Sequence, residues 1–168
     1  MMGPIGLERE NMRAPFQILV IPFRHAAAGP EFAILKRSDA EYWQFVAGGG
    51  EGDESPVQAA ERETKEEIGV EASGRLFRLD SMAMVPKSCF AAADSWGPAV
   101  YVIPEYCFAI DASDAVLVLS GEHTEARWVS YDQACALLQW DSNRTALWEL
   151  NERLKKKGNL TGAVHPWR

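Results

Sequence analysis

Residues 55–69, SPVQAAERETKEEIG, leave this chain little conformational choice. Ser55 offers a hydroxyl N-cap and Pro56 a first helical residue whose missing N–H costs nothing. Gly69 stops the helix. Val57, Ala60, Thr64 and Ile68 recur at helical spacing and are expected to face a core. Glu63, Glu66 and Glu67 stand at i, i+3 and i+4 and are expected to share one face within one turn. Two unit charges about 4 Å apart repel by roughly 4 kcal/mol at an effective dielectric of about 20. A short segment that accepts such repulsion is either a solvated helix face or a seat for a divalent metal. Three convergent carboxylates make a hard, oxygen-only set suited to Mg²⁺ or Mn²⁺. Arg62 is expected to point elsewhere and pair with Glu54, bracing the stretch before the helix. There, Gly48, Gly49 and Gly50 are expected to form a tightly turning loop whose backbone approaches a ligand.

The wider segment 48–70, GGGEGDESPVQAAERETKEEIGV, resembles the signature of the Nudix hydrolases, G-x5-E-x7-R-E-U-x-E-E-x-G-U, where U is a bulky aliphatic residue. Gly48, Glu54, Arg62, Glu63, Glu66, Glu67 and Gly69 fill all seven fixed positions. At roughly 6% background usage per letter, a chance match at one position is on the order of one in 10⁸ to 10⁹. The first U position holds Thr64, whose hydroxyl needs a partner such as the carbonyl one turn earlier.

The resemblance implies an α/β/α sandwich around a mixed β-sheet. It also implies hydrolysis, with water and divalent metal, of a nucleoside diphosphate linked to a further group. Glu63, Glu66 and Glu67 would then be metal ligands, with Glu66 and Glu67 also in the catalytic group. Gly48, Glu54, Arg62 and Gly69 would frame them. The family adds one carboxylate from a later loop, for which Glu122 in SGEHTEARWVS is the candidate and Glu125 the rival. Intact box carboxylates favour an enzyme over a non-catalytic nucleotide-binding module.

Further segments resemble the branch of that family acting on dihydroneopterin triphosphate: APFQILV (14–20), LKR (35–37), YWQFVAGG (42–49), EHTEARWVS (122–130) and DSNR (141–144). This resemblance places Glu122 ahead of Glu125, and puts Arg13 and Lys36 where substrate phosphates are contacted. The loop 86–98 and the third glycine of the box loop depart from it. Dihydroneopterin triphosphate or a nucleoside triphosphate is therefore the expected substrate. Dinucleoside polyphosphates, nucleotide sugars and RNA 5′ ends are the alternatives.

Outside the box the residues carry two readings each. Lys36 and Arg37 end a strand and either grip phosphate oxygens or stand solvated. Trp43 either stacks on a substrate ring or is buried, and Ala47 is a further candidate substrate contact. His123 is a possible base, although a lone histidine in a polar loop is more often solvated. Cys89, Cys107 and Cys135 lack a CxxC pattern and read as buried thiols in a reducing cytoplasm.

The chain of 168 residues fits one domain at 14–157, between an N-terminal arm at 1–13 and a tail at 158–168. A net charge of −7 argues against general binding to nucleic-acid backbone but not against an anionic small molecule held through metal. No membrane span or signal peptide is apparent, and a monomer or homodimer is expected. Strands are expected at 16–23, 31–37, 43–47, 74–85, 99–111 and 125–130, with helices at 55–68, 131–140 and 142–157. Pro104 suggests that its strand is an edge or carries a bulge.

Overall fold

Alternation along one long strand assigns residues to the two sides of the molecule. In a computed structural model that describes residues 12–156, β1 (Arg13–Ala26) turns Leu19, Ile21 and Phe23 to one face and Ile18 and Val20 to the other. Both sets are fully buried, so the strand is covered twice. A sheet that reads as a continuous apolar run needs such cover on each face.

β2 (Gly29–Arg37) returns from β1 as the expected antiparallel hairpin. It is followed by β3 (Trp43–Gln44), β4 (Val46–Glu51) and the box helix α1 (Pro56–Ile68). Then come β5 (Leu76–Pro86), β6 (Val102–Asp111) and β7 (His123–Val129). Two helices, α2 (Tyr131–Leu137) and α3 (Asp141–Lys155), complete the described chain. The seven strands run in the order β3-β2-β1-β6-β5, with β4 paired to β1 and β7 to β2. Only β1 and β6 pair in parallel, so the sheet is mixed.

Ala59, Ala60 and Ile68 of α1 pack on Ile18, Val20 and Val46. Ala134 of α2 and Ala146, Leu147 and Leu150 of α3 pack on Leu19, Ile21 and Phe23. The result is the α/β/α sandwich. No helix among the described residues is long and apolar enough to cross a membrane.

Several boundaries move for local reasons. Arg13 belongs to β1 rather than to an arm, because its backbone pairs with Glu51. The rest of the expected arm, apart from Met12, and the tail lie outside the described residues. Pro104 is not on an edge strand, since β6 lies between β1 and β5. Its pairing with β1 begins only at Glu105, so the missing N–H interrupts no bond on that side. Helix α3 has Trp140 as its N-cap, without a side-chain cap bond. Asp141 instead accepts from Arg144, one turn on. Helix α2 ends three residues early, where Leu138 turns extended and bridges to Trp43.

Candidate active site

The box helix starts and stops where its end residues dictate. Ser55 Oγ accepts from Gln58 N–H while the Gln58 side chain caps Ser55 N–H, closing a capping box. Gly69 adopts the left-handed conformation at φ 70° and its N–H returns to the Lys65 carbonyl. Thr64, buried on the core face, donates its hydroxyl to the Ala60 carbonyl at 2.7 Å, the back-bond its position requires. Val57 is exposed and Ala59 takes the core position expected of it.

The three box carboxylates do not all share one face. Consecutive residues of an α-helix are about 100° apart, so Glu66 and Glu67 diverge. The Glu66 side chain is 56% exposed, whereas Glu67 is 2% exposed and turned inward. One Glu67 oxygen accepts from the Ala47 backbone N–H, and Oε2 has no hydrogen-bond partner in the protein. Burial, with the charges of Glu63 and Glu122 beside it, pushes the Glu67 carboxyl up to about 9. Burial also raises Glu63, against the opposing pull of Arg62. Among the described residues, no three His, Cys, Asp or Glu side chains stand close enough to form a ready-made metal cage.

Arg62 explains part of that dispersion. Far from pointing elsewhere, its guanidinium is the hub of the cluster. Nε and Nη2 grip both oxygens of Glu54, at 2.8 and 3.0 Å. Nη1 reaches Glu63 at 2.9 Å and Glu66 at 3.1 Å, and Nη2 reaches the Gly49 carbonyl at 2.8 Å. The residues nevertheless fit a divalent cation. The donors are hard carboxylate oxygens, and Oε2 of Glu67 is a buried acceptor that only a cation or donor would satisfy.

The three glycines are not a tight turn. Gly48–Gly50 lie within strand β4, and the positive φ of this region belongs to Gly52. Each instead leaves space for one side chain. A Cβ on Gly48 would lie 2.2 Å from the Glu63 carboxyl, one on Gly49 would lie 1.6 Å from Arg13 Nε, and one on Gly50 would lie 2.1 Å from the Phe16 ring. Because Arg62 pins Glu63, Gly48→Ala is expected to displace that carboxylate. Activity should fall by about a hundredfold, while stability falls by only about 1 kcal/mol. Steady-state kinetics and a urea melt on the same preparation separate the two effects.

The loop after β6 delivers the later glutamate. Val118 N–H and Ser120 N–H bond to the carbonyls of Ile68 and Glu67, and Ser38 N–H bonds to the Glu122 carbonyl at 2.9 Å. Glu122 is exposed, yet near enough that its charge acts on Glu63, Glu67 and Arg37. Glu125 is directed away, paired to Arg127 at 2.5 Å and opposite Lys36. His123 is not solvated. It is buried, with both ring nitrogens lacking hydrogen-bond partners in the protein. Burial lowers its pKa and raises that of Glu67, so the 3.8 Å approach of Nε2 to Oε2 joins groups each held toward neutrality.

A cavity of about 460 Å³ opens on the opposite face of β4. Arg13, Arg37 and Ala47 line it, and Lys36 does not. Lys36 instead lies 3.4 Å from Glu41. Arg37 forks onto Asp39, while Arg13 donates to Gln17 and stands 5.4 Å from the Phe90 ring centre. Trp43 is no stacking platform. It is 8% exposed, packed in the core under Arg127, whose guanidinium is 4.7 Å from its ring centre. Tyr42 and Trp140, in edge contact at 5.5 Å, border the cavity in its place. The loop 86–98, which departs from the resemblance, contributes Cys89 and Phe90 to the wall. Gln44, Glu105, Ser142 and Asn143 also line it, and none is singled out by the sequence reading. The available signal was a polar residue inside an apolar strand, as in AVYVIPEYCFAID.

Known proteins resemble this chain over most of its length. A family model described as the NUDIX domain matches residues 18–149. The chain is 31% identical over 120 residues to the asymmetrical bis(5′-nucleosyl)-tetraphosphatase of Rattus norvegicus, covering 71% of this chain and 77% of that one. It is 28% identical over 137 residues to the dihydroneopterin triphosphate diphosphatase of Escherichia coli K12, covering 80% and 91%. The solved structure of the E. coli dihydroneopterin triphosphate pyrophosphohydrolase superposes with a TM-score of 0.69 at 26% identity, over 85% of this chain and 99% of that one. A Listeria monocytogenes structure described as a NUDIX hydrolase reaches a TM-score of 0.77 at 50% identity, over 85% and 96%.

Proposed function

We propose, from the premise that this chain belongs to the Nudix domain family, that it is a divalent-metal-dependent pyrophosphohydrolase of a triphosphate carrying one ring system. Dihydroneopterin triphosphate and nucleoside triphosphates lead the substrate class. One observation carries the reading. The inward-turned Glu67, with its open Oε2, lies beside Glu63 and Glu122 and bonds to Ala47, a residue of the cavity wall.

Glu63, Glu67 and Glu122 would hold the metal, with Glu66 at the exposed rim. Bound there, Mg²⁺ or Mn²⁺ supplies Lewis-acid charge to the anhydride oxygens and acidifies water. The remaining work falls to the chain's own residues. Arg13 and Arg37 face the cavity as cations and neutralise the non-bridging oxygens of the phosphate chain. Arg62, held by Glu54, keeps Glu63 seated on Gly48. His123 closes the inner side of the cluster and limits water behind Glu67. The free thiols of Cys89, Cys107 and Cys135 suit a reducing cytoplasm.

A second reading is cleavage of dinucleoside tetraphosphates, favoured by the 31% identity to the rat tetraphosphatase. A panel of dihydroneopterin triphosphate, nucleoside triphosphates, diadenosine tetraphosphate and nucleotide sugars, assayed with Mg²⁺ for released pyrophosphate or phosphate, separates the two. The first reading expects pyrophosphate from a triphosphate as the fastest reaction. EDTA should abolish turnover and Mn²⁺ should restore it. Metal-independent release would overturn the mechanism.

A further inference from the structure

Two residues of the cavity wall each keep one buried polar atom without a partner in the protein: Glu105 Oε1 and Gln44 Nε2. Their residues are only 7% and 5% exposed, so both groups have left bulk water. A buried acceptor or donor left unmade costs about 1–3 kcal/mol, a cost that an ordered water or a bound ligand removes. Neither is a metal ligand in the arrangement above, and the proposed phosphate contacts do not use them.

Their neighbours fix which is the acceptor. Phe45 N–H donates to Asn143 Oδ1 at 3.2 Å, which orients the amide so that Nδ2 faces Ser142. Ser142 Oγ accepts from that Nδ2, leaving its own hydrogen for the Glu105 carboxylate, with which it is hydrogen-bonded. Glu105 is thereby set to accept, with Oε1 free of partners and a lone pair left on the oxygen that takes the Ser142 bond, while Gln44 presents an N–H donor. Tyr42 and Trp140 provide flat apolar walls beside them.

We propose that Glu105 and Gln44 read the edge of a 2-amino-4-oxopyrimidine ring, the unit common to guanine and the pterins. Glu105 accepts from the ring N–H and the adjacent amino group, and Gln44 donates to the oxo oxygen. Paired donors on one carboxylate make a charge-assisted bidentate contact. Adenine cannot reproduce it, because its amino group is flanked by a ring nitrogen lone pair that would face the same negative charge. Uracil offers one N–H between two carbonyls. The inference deepens the hydrolase reading and rests on it for the direction of the phosphates, but recognition of the ring is separable from turnover.

The test compares GTP, dihydroneopterin triphosphate, ITP and ATP by kcat/KM with Mg²⁺. In parallel, equilibrium binding of GMP and AMP is measured in EDTA. The wild-type chain should prefer GTP or dihydroneopterin triphosphate over ATP by at least about tenfold, with ITP, which lacks the 2-amino group, between them. Whichever of the first two is faster identifies the source of the ring. Glu105→Gln should shrink that preference about tenfold or more in both assays. If circular dichroism shows that E105Q does not fold, Gln44→Met is judged by the same criterion. A wild-type ratio below about tenfold, or a preference that survives in the folded variant, overturns the proposal. If no triphosphate is cleaved at all, the hydrolase reading fails by itself. The GMP to AMP binding ratio then decides the ring proposal alone.

Discussion

Glu67→Gln is expected to lower kcat by about a thousandfold or more while making the metal-free protein more stable. The activity loss follows from removing the one buried carboxyl beside Glu63 and Glu122 that a bound cation would hold ionised. Losing several kcal/mol of transition-state charge stabilisation corresponds to at least three orders of magnitude in rate. The opposite sign for stability comes from the same burial. A 2% exposed carboxylate with an unpartnered oxygen is costly, and a neutral amide of the same shape relieves about 1 kcal/mol of that cost. Single-turnover kinetics in saturating Mg²⁺ and thermal melts in EDTA check the two halves. Near-wild-type turnover would remove Glu67 from the mechanism, and a lower melting temperature would contradict the account of its burial.

Arg62→Lys should be the most damaging conservative change outside the carboxylates proposed to hold metal. Lysine keeps the charge but cannot hold Glu54 through two parallel bonds while also reaching Glu63, Glu66 and the Gly49 carbonyl. Leaving half-buried carboxylates uncompensated is expected to cost about 3 kcal/mol in a urea melt. Catalysis should fall as well, since Glu63 loses the partner that fixes it. A pH signature accompanies this. The Arg62 hydrogen bond holds Glu54 below the usual carboxylate range. Its contribution is therefore fully present above the unfolded value of about 4.3 and is lost as pH falls through the lower folded value. Wild-type stability should drop more steeply than that of R62K as pH falls below about 4. Parallel acid profiles of the two proteins would contradict the hub role.

Local rules carried the sequence reading far where one residue type had one use. The Ser55 cap, the Gly69 stop and the Thr64 back-bond are each settled within one turn of helix, and all three appear in the fold. Spacing alone failed where direction mattered. Glu66 and Glu67 share a turn but not a face, and Arg62, one residue from Glu63, is drawn into the cluster by the charges it was expected to avoid. The glycines show the same limit. Their composition suggested a turn, whereas the reason for them is three side chains arriving from distant parts of the chain. Long-range placement explains the rest. Trp43 and Trp140 cannot be ranked as cavity residues without knowing that β3 turns the first into the core. Glu105 and Gln44, each a polar residue in an apolar strand, were visible in the sequence, but what surrounds them was not.

Strand β4 has one further implication. Gly49 abuts Arg13 on the cavity side, while Gly48 abuts Glu63 on the side of α1. One thickness of backbone is thus a party wall between the cavity and the carboxylate cluster. A side chain at Gly48 or at Gly49 would displace Glu63 or Arg13 respectively. The wall is therefore closed to new side chains from within, and the shape of the cavity is left to residues that line it from elsewhere, such as Phe90 and Trp140.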